Sequence, residues 1–214
     1  MKFPNILLVG LLMAVSGGVA QSPPKEASPK NIYGATIDGV YKNDFFGLEF
    51  EVPKGWLTVD SEESRAAMKI GNDVFKSDDS QANQALEFAL ERELTILHVS
   101  KKPMGSIGNI NLILSAMRQP SRAVTPRMVA EATKSALIAS PVVKVTNDTR
   151  METIGGKPVA VVDFQVTVSG QTINTRFFAA MVDTYAVTIG YSYTDDVDLA
   201  ELDKLVRTIK FTKK

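Results

Sequence analysis

The side chains able to carry acid–base or metal chemistry are few. His98 is the only histidine, and the chain has no cysteine. A histidine that acts as a general base needs a nucleophile within hydrogen-bond reach, and no GxSxG nucleophile turn accompanies His98. Structural zinc sites are built mainly from Cys and His, and this chain offers one such residue. We therefore predict that His98 packs in the core or lies on an edge strand, and that the chain holds neither a catalytic triad nor a zinc site.

Acidic residues cluster at two places. Asp195, Asp196 and Asp198 crowd one turn and could attract calcium, but the glycine and the distant bidentate glutamate of a calcium loop are missing. Carboxylates are also favoured at helix N-termini by capping and by the helix dipole. We therefore predict that this turn starts a final helix, with Asp198 and Glu201 as a capping pair. The segment Asp78-Asp79-Ser80 is predicted to start another helix in the same way.

Four further motifs could suggest chemistry, and we interpret each one structurally. Glu49 and Glu51 share a strand face, but they alternate with apolar residues as any solvated face would. The segment Gly155-Gly156-Lys157-Pro158 lacks the length of a phosphate-binding loop, and Gly105-Ser106-Ile107-Gly108 is not a dinucleotide fingerprint. Both are predicted to be turns. Asn147-Asp148-Thr149 matches the glycosylation triplet by coincidence. The sequence therefore predicts no catalytic, cofactor-binding or metal-binding residue, and it does not identify binding residues.

The N-terminus is typical of an export signal. Lys2 precedes an apolar run from Ile6 to Val19, and small residues at Gly18-Val19-Ala20 offer a cleavage site. The run is shorter than the roughly 20 residues that a membrane-spanning helix needs. Residues 21–31 are rich in proline and predict a flexible tether. We expect a bacterial protein that is located in the periplasm or secreted, without stable membrane insertion after cleavage of residues 1–20.

The charge of the chain is balanced. Its 24 basic and 24 acidic residues give a formal net charge of zero, and removing residues 1–20 removes one lysine. Nucleic-acid binding draws on a basic surface, which this composition does not predict. The expected partner is a protein, and the oligomeric state cannot be deduced.

The remaining chain predicts both strands and helices. Period-two alternation from Phe46 to Val52 predicts a strand that Pro53 ends, paired with Val40–Lys42 in a hairpin. The nearby aromatic residues either cap the core or form a partner surface, and we favour the core; they are Tyr33, Tyr41, Phe45, Phe46 and Trp56. A helix is predicted from Ser61, with Asp60 and Glu63 as a capping pair and apolar residues at helical spacing as far as Phe75. Further helices are predicted from about Ser80 to Arg92, from Thr125-Pro126 to Pro141, and from Asp198. Further strands are predicted at Leu94–Val99, Ile110–Met117, Val142–Val145, Val159–Val168, Gln171–Val182 and Tyr185–Tyr193, with the last four forming an antiparallel meander. In the last strand, the small residues Ala186, Thr188, Gly190 and Ser192 share one face, on which we expect a helix to pack.

These segments resemble the PsbP-like superfamily, which includes an extrinsic subunit of photosystem II and many bacterial exported proteins of unknown role. The resemblance rests on Tyr41–Trp56, the hairpin Glu152–Val166 and the final segment Leu199–Phe211. It implies an α+β fold, an antiparallel sheet flanked by helices in an α/β/α sandwich, over a single domain at 32–214. It also implies a non-enzymatic binding or accessory protein without a cofactor. The alternatives are a carboxylate-dependent hydrolase and a carrier of a small apolar ligand.

Overall fold

The computed structural model describes residues 31–59, 61–104, 106 and 109–212. The predicted signal, the tether residues before Asn31 and the predicted cap at Asp60 lie outside them. The strands are β1 (Ala35–Ile37), β2 (Val40–Asn43), β3 (Leu48–Glu51), β4 (Leu57–Thr58), β5 (Leu94–Ser100), β6 (Asn111–Arg118), β7 (Val143–Val145), β8 (Arg150–Ile154), β9 (Lys157–Val168), β10 (Gln171–Val182), β11 (Tyr185–Tyr193) and β12 (Lys210–Phe211). The helices are α1 (Ser61–Phe75), α2 (Ser80–Arg92), α3 (Pro126–Leu137) and α4 (Asp196–Val206).

The centre of the fold is a large antiparallel sheet. Its strand order is β4-β5-β6-β11-β10-β9-β7, and β8 also pairs with β9. Two-residue turns join β8 to β9, β9 to β10, and β10 to β11, so these strands must be antiparallel neighbours. The predicted antiparallel α+β architecture is confirmed, and β10 and β11 have the predicted bounds.

The two faces of the large sheet differ in side-chain size. On β11, the buried residues Val187, Ile189 and Tyr191 belong to one core cluster. The intervening positions are Ala186, Thr188, Gly190 and Ser192, and Ala186 packs in a second cluster together with residues of α2 and α3. Small side chains let helices approach the sheet closely. The predicted helix layer on this smooth face is therefore confirmed.

The opposite face is covered by a mixed layer rather than by helices alone. A small sheet of order β1-β2-β3-β12 lies there beside α4. Tyr41 and Phe50 from the small sheet, and Leu202 from α4, share one buried cluster with the large sheet. Strands β1, β4 and β12 were not predicted, because strands of two or three residues carry too little alternation to detect. Strand β8 was not predicted from alternation either, and it was included only as the first arm of the hairpin Glu152–Val166 on which the resemblance rests.

The N-terminal hairpin differs from the prediction in one detail. Its second strand begins at Leu48 rather than at Phe46, because the chain turns tightly through Phe45 and Phe46. The Asn43 side chain fixes this turn by accepting a hydrogen bond from the Phe46 amide at 3.1 Å. Phe46 is nevertheless buried in the core, and Phe45 packs edge-on against it.

The N-terminal aromatic residues mainly cap the core, as predicted. Tyr41 and Phe46 are buried, while Phe45 and Trp56 are partly buried against the same cluster. Tyr33 is the exception, with half of its surface exposed. Within the described residues, no helix is long and apolar enough to cross a bilayer.

The turn between β8 and β9 gives a matched pair of glycine predictions. Gly155 has φ +56°, and a Cβ atom there would lie 2.6 Å from the Ile209 carbonyl oxygen. Gly156 has φ +82°, but its Cβ would meet open space. We expect Gly155→Ala to lower the free energy of unfolding by about 3 kcal/mol and Gly156→Ala by about 1 kcal/mol, measured by urea denaturation. Equal losses would contradict the role of the backbone clash.

Candidate functional site

His98 lies inside the fold, on the face of β5 that meets the helix layer. It is 2% exposed, and its Nδ1 lies 2.9 Å from the Ser64 hydroxyl of α1. Burial lowers the pKa of His98 to about 4, so the ring is neutral at pH 7. The predicted packing role within the strand is confirmed, and β5 is not an edge strand because it lies between β4 and β6.

The acidic turn before α4 is a helix cap. Asp195 is the N-cap residue, and its Oδ1 accepts hydrogen bonds from the Val197 and Asp198 amides at 3.0 and 2.9 Å. The prediction of a cap is confirmed, but the capping pair Asp198 and Glu201 was wrong by three residues. Asp79 caps α2 by accepting from two amides, as predicted.

Removing the α4 cap should have a moderate effect. We expect Asp195→Ala to lower the free energy of unfolding by about 1 kcal/mol, because two amides of the first turn lose their acceptor. Asp196→Ala, which removes a carboxylate from the same turn without removing the cap, should cost less than half as much. Urea denaturation at pH 7 measures both values. A larger loss for Asp196→Ala would contradict the assignment of the cap.

The other predicted motifs have structural surroundings. Glu49 lies near Lys42 and Lys210 at 3.8 and 3.4 Å, on the solvated face that was predicted. Glu51 is exposed, and Gly155-Gly156 forms a turn. Three of the four residues of the segment 105–108 lie outside the described residues. The side chain of Asn147 donates to Asp163 at 3.2 Å.

A partly buried set of charged residues, which we call the ionic cluster, crosses the sheet on the α4 side. Asp163 of β9 accepts from Arg176 of β10 at 2.6 Å and from Arg150 of β8 at 2.5 Å. Arg176 also donates to both carboxylate oxygens of Asp203 in α4, at 2.8 and 2.9 Å. Tyr191 of β11 donates to the same carboxylate.

The electrostatics of the ionic cluster favour a structural role. Burial lowers the pKa of Arg176, but its hydrogen bonds to Asp163 and Asp203 outweigh burial and raise the pKa overall. Burial, helped by the hydrogen bond to Asp203, raises the pKa of Tyr191, so its hydroxyl stays protonated. Each charged side chain therefore has an opposite partner. The ionic cluster connects α4 to four strands through ion pairs and hydrogen bonds. Its charged groups are engaged with one another rather than directed at a substrate.

A second set of polar residues, which we call the polar recess, lies between α1 and the large sheet. It consists of Asn72 of α1, Glu93 at the end of α2 and Ser115 of β6. Glu93 is 3% exposed, and neither of its carboxylate oxygens has a hydrogen-bond partner among the described residues. The Ser115 hydroxyl and the Asn72 side-chain oxygen are also buried without a partner there.

Glu93 has an unusual protonation state for a carboxylic acid. Burial raises the pKa of Glu93 to about 8, and the nearby Ser115 hydroxyl opposes this rise. Glu93 was not among the candidate residues predicted from the sequence. The sequence indicates the burial of Glu93 only weakly, because a charged residue between a helix and an apolar strand is normally exposed to solvent.

The described residues contain no group of three or more His, Cys, Asp or Glu side chains that could hold a metal ion. The ionic cluster has two aspartates, but two arginines compensate them. The polar recess has one carboxyl group surrounded by neutral oxygen atoms. Four of its oxygen atoms are buried without a hydrogen-bond partner among the described residues, as are single side-chain atoms of His98, Asn111, Gln119, Ser140 and Thr149 elsewhere.

The antiparallel sheet with its helix layer and its mixed layer defines a PsbP-like fold. The solution structure of cyanobacterial PsbP (CyanoP) from Synechocystis sp. PCC 6803 superposes with a TM-score of 0.53 and 14% identity, covering 86% of this chain and 98% of that chain. At this identity the similarity shows the fold alone.

Two other solved structures are more distant. LpqN of Mycobacterium tuberculosis, described as involved in cell envelope biogenesis, gives a TM-score of 0.46 with 12% identity over 76% of this chain and 82% of that chain. The immunity protein TplEi of Pseudomonas aeruginosa gives 0.42 with 10% identity over 81% and 98%. No protein-family model matches the chain, and no curated protein matches it in sequence.

Proposed function

We propose that this protein is an exported, non-enzymatic accessory or binding protein whose partner is another protein. One observation supports this more than any other: the groups suited to acid–base chemistry are paired, used as caps or buried, including Glu93, which is 3% exposed. His98 is buried beneath α1, Asp195 caps α4, and Asp163 is paired with two arginines. A catalytic acid or base must instead reach a substrate atom.

The rival function is a hydrolase that works through carboxylates. To test this, the purified mature protein is incubated with ester, glycoside and phosphate substrates at pH 5, 7 and 9. The proposal expects no turnover above that of a heat-denatured sample. Turnover that disappears in Asp163→Asn or Glu93→Gln, with the variant still folded by circular dichroism, would replace the proposal by the rival.

Export and partner binding need separate measurements. We expect the protein recovered from its own cells to begin at Gln21 and to fractionate outside the cytoplasm, as mass spectrometry of the N-terminal peptide would show. A cross-linked partner should then form a complex of defined stoichiometry when both purified proteins are mixed. Retention of Met1–Ala20 would contradict export, and failure of every captured protein to rebind would contradict the accessory role.

A further inference from the structure

The polar recess follows the underside of α1. Ser64 contacts His98 near the end of β5, and one turn later Met68 Sδ lies 3.2 Å from the Thr95 hydroxyl. The helix therefore runs antiparallel to β5. Asn72, one further turn along on the same face, comes level with Glu93 just before the strand.

The sheet supplies the floor of the polar recess. Ser115 pairs with Thr95 on one side and with Thr188 on the other, so one row across β5, β6 and β11 carries three hydroxyl side chains. These three residues face the helix layer. The unpartnered atoms of Glu93, Asn72 and Ser115 are four oxygens: both oxygens of Glu93, the amide oxygen of Asn72 and the hydroxyl oxygen of Ser115. His98 Nε2, at the other end of the buried face of α1, also lacks a partner among the described residues.

A buried oxygen atom without a hydrogen-bond partner destabilises the fold, and each oxygen atom of the polar recess needs a hydrogen-bond donor or a cation. A buried polar atom without a partner costs on the order of 1–3 kcal/mol. Amide oxygens and an ionised carboxylate accept hydrogen bonds or coordinate hard cations, so once Glu93 has lost its proton the Ser115 hydroxyl is the one donor among these side-chain oxygens. An occupant that carries positive charge would satisfy all of them and compensate the Glu93 carboxylate.

The charge of the polar recess indicates the charge of the ion that it could bind. Glu93 carries the one carboxyl group of the polar recess. The other side chains that face the recess from α1, α2, β6 and β11 are not titratable. His98 of β5 is titratable, but it is neutral and lies next to the Ser64 hydroxyl. The side chains that are not titratable are Met68, Asn72 and Phe75 of α1, Leu86 and Ala89 of α2, Ile113, Ser115 and Met117 of β6, and Ala186 and Thr188 of β11. Calcium usually takes six to eight oxygen ligands with several carboxylates. One negative charge among neutral oxygens is matched by one positive charge.

We infer that the polar recess is a binding site for a monovalent cation, held by Glu93, Asn72 and Ser115 between α1 and the large sheet. Binding releases the carboxyl proton of Glu93 to solvent, so cation and proton compete for the same oxygens. The cation enters by local opening of α1, whose buried apolar contact with the sheet centres on Met68 and Ile113. Sodium, potassium and ammonium share the required chemistry.

Thermal denaturation in different chloride salts tests this site without any partner or turnover, so its result is independent of the proposed function. We expect 200 mM NaCl, KCl or NH4Cl at pH 8.5 to raise Tm by about 3 °C relative to 200 mM choline chloride, whose cation is too large to enter. The difference should shrink at pH 6, where the proton occupies Glu93. A response to NH4Cl alone would assign the site to an ammonium group rather than to an alkali ion.

Substitutions test whether the Tm difference between salts arises at the polar recess. Glu93→Gln should abolish the Tm difference between salts, because the amide keeps the size of the side chain but cannot supply the negative charge. Glu91→Gln changes an exposed carboxylate on the same helix and should leave the difference unchanged. Ser115→Ala should reduce it, which gives a second variant if Glu93→Gln folds poorly. Equal Tm values in all four salts, or a difference retained in Glu93→Gln, would overturn the inference.

Discussion

Replacing Asp163 by asparagine is expected to lower the free energy of unfolding by about 3 kcal/mol, because Arg176 would stay partly buried with one of its two carboxylate partners removed. The side chain of Asp163 is 6% exposed and that of Arg176 is 17% exposed, so water can compensate the lost pair only in part. Arg150 is more exposed and keeps its hydrogen bond to Glu152 at 2.9 Å. Urea denaturation of the purified variant at pH 7 measures the loss.

The matched control is an ion pair at the surface. Arg122 and Asp183 lie 2.8 Å apart with most of both side chains exposed, and Asp183→Asn should change the free energy of unfolding by less than about 0.5 kcal/mol. A double-mutant cycle between Asp163→Asn and Arg176→Gln should give a coupling of at least about 1 kcal/mol. Additive losses would show that the two side chains do not stabilise each other.

Much of the fold follows from local sequence patterns. The meander of β9, β10 and β11 was predictable because long strands are joined by Ser169-Gly170 and Asp183-Thr184, which are suited to two-residue turns. Gly155-Gly156 is also a turn, but it joins β8 to β9, whereas the prediction had Val142–Val145 preceding it. In each pair the first residue has positive φ, near +50°. The small residues of β11 also predicted which face would receive helices. The small sheet was not predictable, because β12 and β3 pair across about 160 residues of chain and neither has a long pattern.

Neither polar cluster could be predicted from the sequence. The ionic cluster depends on register: Asp163 and Arg176 are paired residues of β9 and β10, and pairing positions follow only from the complete hairpin. In β9, Asp163 interrupts a continuous apolar run from Val159 to Phe164, which is the one local sign of a buried charge. The polar recess depends on the direction of α1 across β5, for which no local pattern exists.

The pH dependence of stability should separate the two buried titratable residues of the helix side. Glu93 has a pKa raised from 4.5 to about 8 in the folded state, so the folded protein holds a proton that the unfolded chain has lost, and stability falls as pH rises between these values. His98 has a pKa lowered from 6.5 to about 4, so stability rises with pH between 4 and 6.5. The two effects oppose each other below pH 6.5, and Glu93 acts alone from 6.5 to 8.

Glu93→Gln should therefore stabilise the protein at alkaline pH. Gln resembles the protonated carboxyl group, so we expect little change near pH 4 and a stability advantage over the unaltered protein that grows to at most about 5 kcal/mol above pH 8. Urea denaturation between pH 4 and 9 in choline chloride measures this advantage without a small cation to compensate the carboxylate. Glu91→Gln should instead follow the unaltered protein at every pH. Parallel pH profiles for Glu93→Gln and the unaltered protein would mean that Glu93 ionises normally, and the recess would then be open to water rather than closed by α1.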